Sequence, residues 1–366
     1  MEFTKGKVVN KKKLKRWFFD IEWSILILIV LVLCIRIAAP YIGKSYINNV
    51  LANKLESYKG SISDLSLRVI TGSYFIEGLK IYKKSNPQHP FVQSKQINIH
   101  LDWGMLFKGK AVLDIELFDS AINLIDSDEP EKRQLKISEK EAEHWSDALD
   151  AIVPLSIEQL VSNRLAVNLE NNSLKGAEKA KIFFKTLSVH NLVDPEVHNS
   201  HLSPLKAQGS VNDHANVKID GGINITKVNA DLDINFEIKS FDMTSINKLL
   251  KHYVPVDLTS GSLSILAEIK GDTSKLGGYA RVYIKNLDVL ELDQDYKSAT
   301  HFAIEWVGGF ANWIIGALND GMITTEIPFK KNEKGFELDS SKAFFNTLEN
   351  LGGELPYQFK DSKDWD

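Results

Sequence analysis

The sequence predicts a mainly β protein carried on one N-terminal transmembrane helix, and three observations predict it. The run over 23–35, Trp-Ser-Ile-Leu-Ile-Leu-Ile-Val-Leu-Val-Leu-Cys-Ile, holds one hydroxyl and no charge. Beyond residue 61 the apolar residues recur with period two, the pattern of strands with one apolar and one wet face. Helical periodicity returns at only about four places, so strands dominate.

Extended through Ile37, Ala38 and Ala39, with Arg36 near its end, the apolar run makes a helix of roughly 17 residues and about 25 Å, enough for a thin bilayer core. Its anchor residues are Trp23, Leu26, Leu28, Val30, Leu33 and Ile35. Trp17 and Trp23 suit one interface, and Arg36 can snorkel to the other. Lys5, Lys7, Lys11, Lys12, Lys13, Lys15 and Arg16 precede the run, which puts the N-terminus in the cytoplasm and the rest of the chain across the membrane. A cleaved signal peptide has the same order of segments. Ile37 is bulky upstream of Ala38-Ala39 and Pro40 would follow the cut, so retention is expected. The chain then divides into a basic tail (1–16), the anchor (17–40), two sections of the exported body (41–135 and 136–360) and a frayed tail (361–366).

Charge and cysteine content exclude several functions. Beyond Arg36, 36 basic residues stand against 45 acidic ones, a net charge near −9. That argues against nucleic acid and against electrostatic docking of the whole body on anionic lipid. The sole cysteine, Cys34, lies in the anchor, so the body folds without disulfides and has no thiol for catalysis.

After Pro40, Ile47, Val50, Leu51, Leu55 and Tyr58 share a face of a second helix that ends at Lys59-Gly60. This helix either leads from the anchor to the body or covers a sheet end. Strand patterns follow: Leu65, Leu67 and Val69; Ile97, Ile99, Leu101 and Trp103; Leu113, Ile115 and Leu117. Gly72, Gly78 and the stretch 86–90 with its two prolines read as turns or bulges. Residues 126–133 form a solvated loop. Ser138 and Glu141 then make a capping box for a helix near 139–152, with Ala142, Trp145, Leu149 and Ile152 on one side. Strands resume around Leu165, Leu187 and Val217. In the clearest pattern, Val228, Ala230, Leu232, Ile234, Phe236 and Ile238 alternate with Asn229, Asp231, Asp233, Asn235 and Glu237. A short helix over 244–253 and strands near Leu263, Val282, 323–327 and 336–338 complete the body. Between them, 301–318 reads as a helix apolar nearly all round, expected to bury itself against the sheet.

Three groups of segments, in this order, carry a resemblance. They are Tyr58-Lys-Gly-Ser-Ile-Ser-Asp-Leu with Gly72-Ser-Tyr-Phe-Ile-Glu-Gly-Leu-Lys-Ile, Pro90-Phe91 and Leu101-Asp-Trp-Gly-Met-Leu-Phe-Lys-Gly109; then Ile246-Asn-Lys-Leu-Leu-Lys-His-Tyr-Val-Pro-Val-Asp257 with Ser260-Gly-Ser-Leu-Ser-Ile; then the Trp-rich helix near the end. With the anchor, they resemble the AsmA-like, inner-membrane-anchored envelope proteins of Gram-negative bacteria, in a branch still named as a domain of unknown function and related to TamB-like lipid-transfer proteins. The resemblance implies an elongated, open, taco-like β-groove of antiparallel strands with a few capping helices. It implies a hydrophobic lining for acyl chains, membrane phospholipid as partner, and a role in phospholipid transport or outer-membrane and envelope maintenance from a single-pass position in the inner membrane, with the bulk of the chain periplasmic. About fifteen strands at 4.8 Å give about 70 Å of groove, too short to bridge two membranes unaided.

Hydrophobicity selects Ile97, Ile99, Leu101, Leu113, Ile115, Leu117, Leu232, Ile234, Phe236 and Ile238 as the lining. The strand pattern alone leaves a sandwich open, in which a second sheet covers this face. The corresponding function is a non-catalytic structural or adaptor protein of an envelope assembly, with an envelope protein as partner. No His-Glu-x-x-His, Gly-x-Ser-x-Gly or phosphate-binding glycine loop occurs, so no enzyme is expected. The best metal candidates, His190, Asp194, Glu196, His198, His201 and His214, include a His-x-x-His in a loop, where no fixed face aligns the nitrogens. Asp231, Asp233 and Glu237 read as a solvated strand face, and Gly308-Gly309 as close packing. Neither a metal nor a cofactor is expected, and the oligomeric state stays open.

Overall fold

A computed structural model describes residues 11–55, 57–68, 71–126, 156–171, 180–193, 202–224, 231–247, 256–272, 275–292, 322–332, 335–338 and 357–359. The expected helices near 139–152 and over 301–318, Val69, Val228, Ala230, residues 248–253 and the 361–366 tail lie outside these residues.

A single helix, α1 (Lys11–Asn53), takes up residues 11–16 of the basic tail, the apolar run and the amphipathic segment without a break, with Pro40 inside it. The sequence predicts two helices because proline lacks the N–H that would close the preceding turn. That loss is local here, and the C-terminal turns are held by the sheet. Counting only described side chains, no helix is long and apolar enough to cross a membrane. Within α1 the side chains of Leu28 and Ile35 lie outside the description, while Trp23, Leu26, Val30 and Leu33 are exposed.

The body is one sheet of fourteen strands: β1 (Tyr58–Ser61), β2 (Asp64–Arg68), β3 (Ser73–Lys83), β4 (Asn86–Leu101), β5 (Val112–Asp126), β6 (Ser156–Asn171), β7 (Ala180–Val193), β8 (Ser203–Val211), β9 (Ala215–Asn224), β10 (Asp231–Asp242), β11 (Val256–Asp272), β12 (Lys275–Leu292), β13 (Met322–Asn332) and β14 (Gly335–Leu338). Neighbours in space follow the chain order, and β1 and β2 lie end to end along β3. The two ends of the path do not pair, so the sheet is open. Thirteen strand positions at 4.8 Å make it about 58 Å long.

Three details differ from the sequence reading or refine it. The antiparallel expectation fails at one step: β5 and β6 are parallel, with Ser156 at the start of β6 paired to Val112 at the start of β5. The proline-bearing stretch 86–90, read as a turn or a bulge, lies within β4 and takes the second form. Pro90 faces Tyr82 where the register shifts, a place where a missing N–H breaks no regular ladder. Trp103 leaves the strand and opens the short helix α2 (Trp103–Leu106), capped by the Asp102 carboxylate accepting from the N–H groups of Gly104 at 2.7 Å and Met105 at 3.1 Å. Near 244–253, the described part is a 3₁₀ turn, Met243–Ile246.

Buried residues gather in two clusters. One joins Leu51 of α1 and Leu55 just beyond it to Tyr58, Ile62, Leu65, Ile81 and Phe91, with Ile122 and Leu124 of β5 against it. The other runs from Phe184 to Ile284, with Leu165 and Val167 of β6 against it. The two meet at the parallel β5–β6 step.

Candidate functional site: an apolar face carried across the sheet

Directly paired residues in a sheet point to the same side, so the register alone assigns every side chain to a face. Starting from Leu65 in β2, one row runs Ile76, Ile97, Leu117, Ser162, Leu187, Ala207, Ile219, Phe236, Ala267, Ala280 and Ile327. Serine 162 is its one polar member. A second row starts at Leu67 and passes through Tyr74, Ile99, Ile115, Leu160, Val189, Leu205, Gly221, Ile234, Ile269, Gly278 and Phe329 to Leu338. On the other side, the row Phe75, Asn98, Glu116, Val161, Ser188, Lys206, Asp220, Asn235, Glu268, Tyr279 and Pro328 is mostly polar.

All ten residues selected from hydrophobicity fall on the apolar side. Ile97, Leu117 and Phe236 sit in the first row, Ile99, Ile115 and Ile234 in the second. Leu101 pairs Leu113 beyond the second row, and Leu232 pairs Ile223; Ile238 lies in the row on the other flank. Ile97 and Leu113 are buried, the other eight half-buried.

A third row on the apolar side, of which the sequence reading selected only Ile238 for the lining, runs Leu79, Ser94, Ser120, Leu165, Phe184, Gly209, Val217, Ile238, Ile265, Val282 and Thr325. In β3 and β5, Ile76 gives way to Leu79 and Leu117 to Ser120, three residues apart rather than two. One inserted residue per strand lets the apolar side continue after the phase changes. Gly78 (φ 62°), Asp119 (φ 50°) and Arg164 (φ 62°) are those residues in β3, β5 and β6, and Lys95 and Lys185 face them in β4 and β7. These positions face one another without a shift of register, so the left-handed residues of β3, β5 and β6 lie on one line across the sheet. The signal in sequence is weak, since only Gly78 is a residue that prefers positive φ.

Polar chemistry lies on the opposite side. A shallow cavity of about 360 Å³ is lined there by Ser73, Phe75, Asn98, His100, Asp114, Glu116 and Gln159. Asp233 pairs Lys270 at 3.0 Å and Glu237 pairs Lys239 at 2.9 Å. The expected solvated acidic strand is therefore half-buried and neutralised by neighbours. Farther along this side, Arg281 donates to Glu326 Oε2 at 2.9 Å and to the Gln358 carbonyl at 2.8 Å, and the Tyr357 ring packs on Tyr283 at a tilt of 57° with centroids 5.0 Å apart. Burial, and then the nearby Glu237 carboxylate, pushes the Tyr357 phenol well above its usual range.

Among the metal candidates, His190 is exposed on β7 and His214 is exposed in the β8–β9 turn, while Asp194, Glu196, His198 and His201 lie outside the described residues, as do Gly308 and Gly309. Among the described residues, no group of three or more His, Cys, Asp or Glu side chains converges. The arrangement offers apolar area rather than a convergent set of reactive groups. No family model matches the chain, and no curated protein matches it.

Proposed function

We propose that the protein is a single-pass inner-membrane protein of a Gram-negative bacterium, its sheet periplasmic, and that the apolar side of the sheet shelters phospholipid acyl chains during transport or envelope maintenance. One observation carries the reading: apolar rows persist from β2 to β13 through a parallel step and a line of left-handed residues, with a largely polar side opposite. An ordinary core needs apolar patches; it has no need of a stripe preserved through every change of phase. Bare apolar surface costs about 25 cal/mol per Å², so acyl chains laid along the stripe relieve a cost that water leaves in place. The exposed apolar side chains of α1 support the anchor, since such a surface on a helix finds its partner in lipid. No catalytic group is required. The AsmA-like resemblance supports the same assignment.

Photo-crosslinking in living cells tests it. A crosslinker replacing Ile234 should yield phospholipid adducts, and one replacing Asn235, on the polar side of the same strand, should not. Protein adducts at Ile234 without lipid would replace this reading with that of an adaptor bound along the stripe.

A further inference from the structure

We propose that α1 and the sheet are welded into one rigid unit, and that the weld holds the β2 end of the sheet in the headgroup layer of the membrane with Ile42 and Tyr46 lying in lipid. This rests on the anchor reading above and adds where the apolar rows begin relative to the bilayer.

The weld is dense. Asn48 clamps the link between β1 and β2, accepting from the Ile62 N–H at 2.7 Å and donating to the Ile62 carbonyl at 3.3 Å. Gly43 lets the helix approach β2 closely, since a Cβ there would come within 2.7 Å of Leu65 Cδ2. Lys44 reaches Asp64 at 4.0 Å. Ile47, Leu51 and Leu55 then share a core with Leu65 and Ile81. Because α1 passes Pro40 unbroken, no joint separates the apolar run from these contacts.

Distance along the helix sets the depth. Counted from Trp23 at the far interface, Gly43 lies twenty residues on, about 30 Å, which is the depth of the bilayer core, and the headgroup region beyond it is about 5–8 Å thick. Leu65, the first residue of an apolar row, therefore lies at the membrane surface. At about 100° per residue, Ile42 and Tyr46 share a helix face about a quarter turn from that of Gly43 and Ile47, and they are 67% and 61% exposed. Trp23 lies about 35 Å before Tyr46 along the axis, matching a bilayer core plus one headgroup layer. A tyrosine at that level has its ring in apolar surroundings and its hydroxyl in water. The occupant of this face is the lipid of the leaflet on the sheet's side, because the face continues the exposed apolar surface of the anchor.

Depth measurement by spin label on the full chain decides it. In a Cys34→Ser background reconstituted into phosphatidylethanolamine–phosphatidylglycerol vesicles, labels are placed by Val30→Cys, Ile42→Cys, Tyr46→Cys, Asn53→Cys and Ser66→Cys. Collisions with oxygen should dominate at 30, collisions with a water-soluble nickel chelate at 53, and positions 42, 46 and 66 should fall between. Four Gly-Ser residues inserted after Pro40 should shift position 66 to the value of position 53. A water-like value at 30 sinks the anchor and this inference together. An oxygen-rich value at 30 with water-like values at 42 and 46 overturns this inference alone. So does shielding from both reagents with spin–spin broadening, which marks a second copy on that face.

Discussion

The Arg164 guanidinium donates from Nε and Nη2 to both carboxylate oxygens of Asp119, the Nη2 bond at 2.7 Å, across the one parallel pair among the described strands. Both residues have positive φ and sit on the line where the apolar pattern changes phase. The ion pair thus ties β5 to β6 where the two buried clusters meet. The hydrogen bond from Arg164 holds the Asp119 carboxyl below its ordinary value of 3.8, against the opposing effect of burial, with the Arg164 and Lys95 charges assisting.

Its pH dependence follows from that direction. The unfolded chain binds the Asp119 proton more readily than the folded one, so the pair's contribution is present above about pH 4 and lost as pH falls through the folded value. Asp119→Asn should therefore melt below the parent protein at pH 6, with the gap closing under acid. Thermal unfolding followed across this range checks it, and a gap that stays constant with pH sinks the assignment.

Gly78→Ala should destabilise the chain by about 1–2 kcal/mol through the left-handed backbone alone. The new methyl would also lie 2.2 Å from Ser63 Oγ, so Ser63 must move. Urea unfolding in detergent measures the loss; an unchanged midpoint would mean that Gly78 is not held in the left-handed conformation.

The Ser162 hydroxyl is buried on the apolar side and has no hydrogen-bond partner among the described residues. Removing it should be neutral or stabilising by up to about 1 kcal/mol. By contrast, Ile284→Ala empties a fully buried position and should cost about 2–5 kcal/mol. Parallel unfolding curves for the two variants separate these expectations.

Arg281 is buried between Glu326 and the C-terminal segment, so Arg281→Met strands a carboxylate and should cost about 3–5 kcal/mol. It should also release Tyr357 and Gln358 to protease before the rest of the chain. An absorbance titration offers a second reading: the Tyr357 phenol stays protonated above its usual value of 10, and the difference between parent and Tyr357→Phe should appear only at higher pH. Since the folded state favours the neutral phenol, that contribution is present below pH 10 and fades as pH rises.

Much of the candidate site was legible because side-chain alternation is a local property of extended backbone. Leu113, Ile115 and Leu117 announce a face without knowledge of their neighbours. Leu79, Leu165 and Phe184 were not assigned to that face, since one left-handed residue reverses the phase and Asp119 and Arg164 carry no compositional mark of it. Trp103 continued the alternation of β4 in sequence, yet the Asp102 cap turned the chain into a helix.

By itself, the sequence determined the strand-rich body, the apolar run of α1 and the polar or apolar character of each strand face, because these depend on spacing within a few residues. Only the tertiary structure decided that α1 passes Pro40 and docks on β2, that β5 and β6 run parallel, and that separate apolar stretches join into rows from Leu65 to Ile327. Those outcomes depend on packing and pairing between separate elements, and a shift of one residue in any strand pairing would have turned the same side chains to the opposite face.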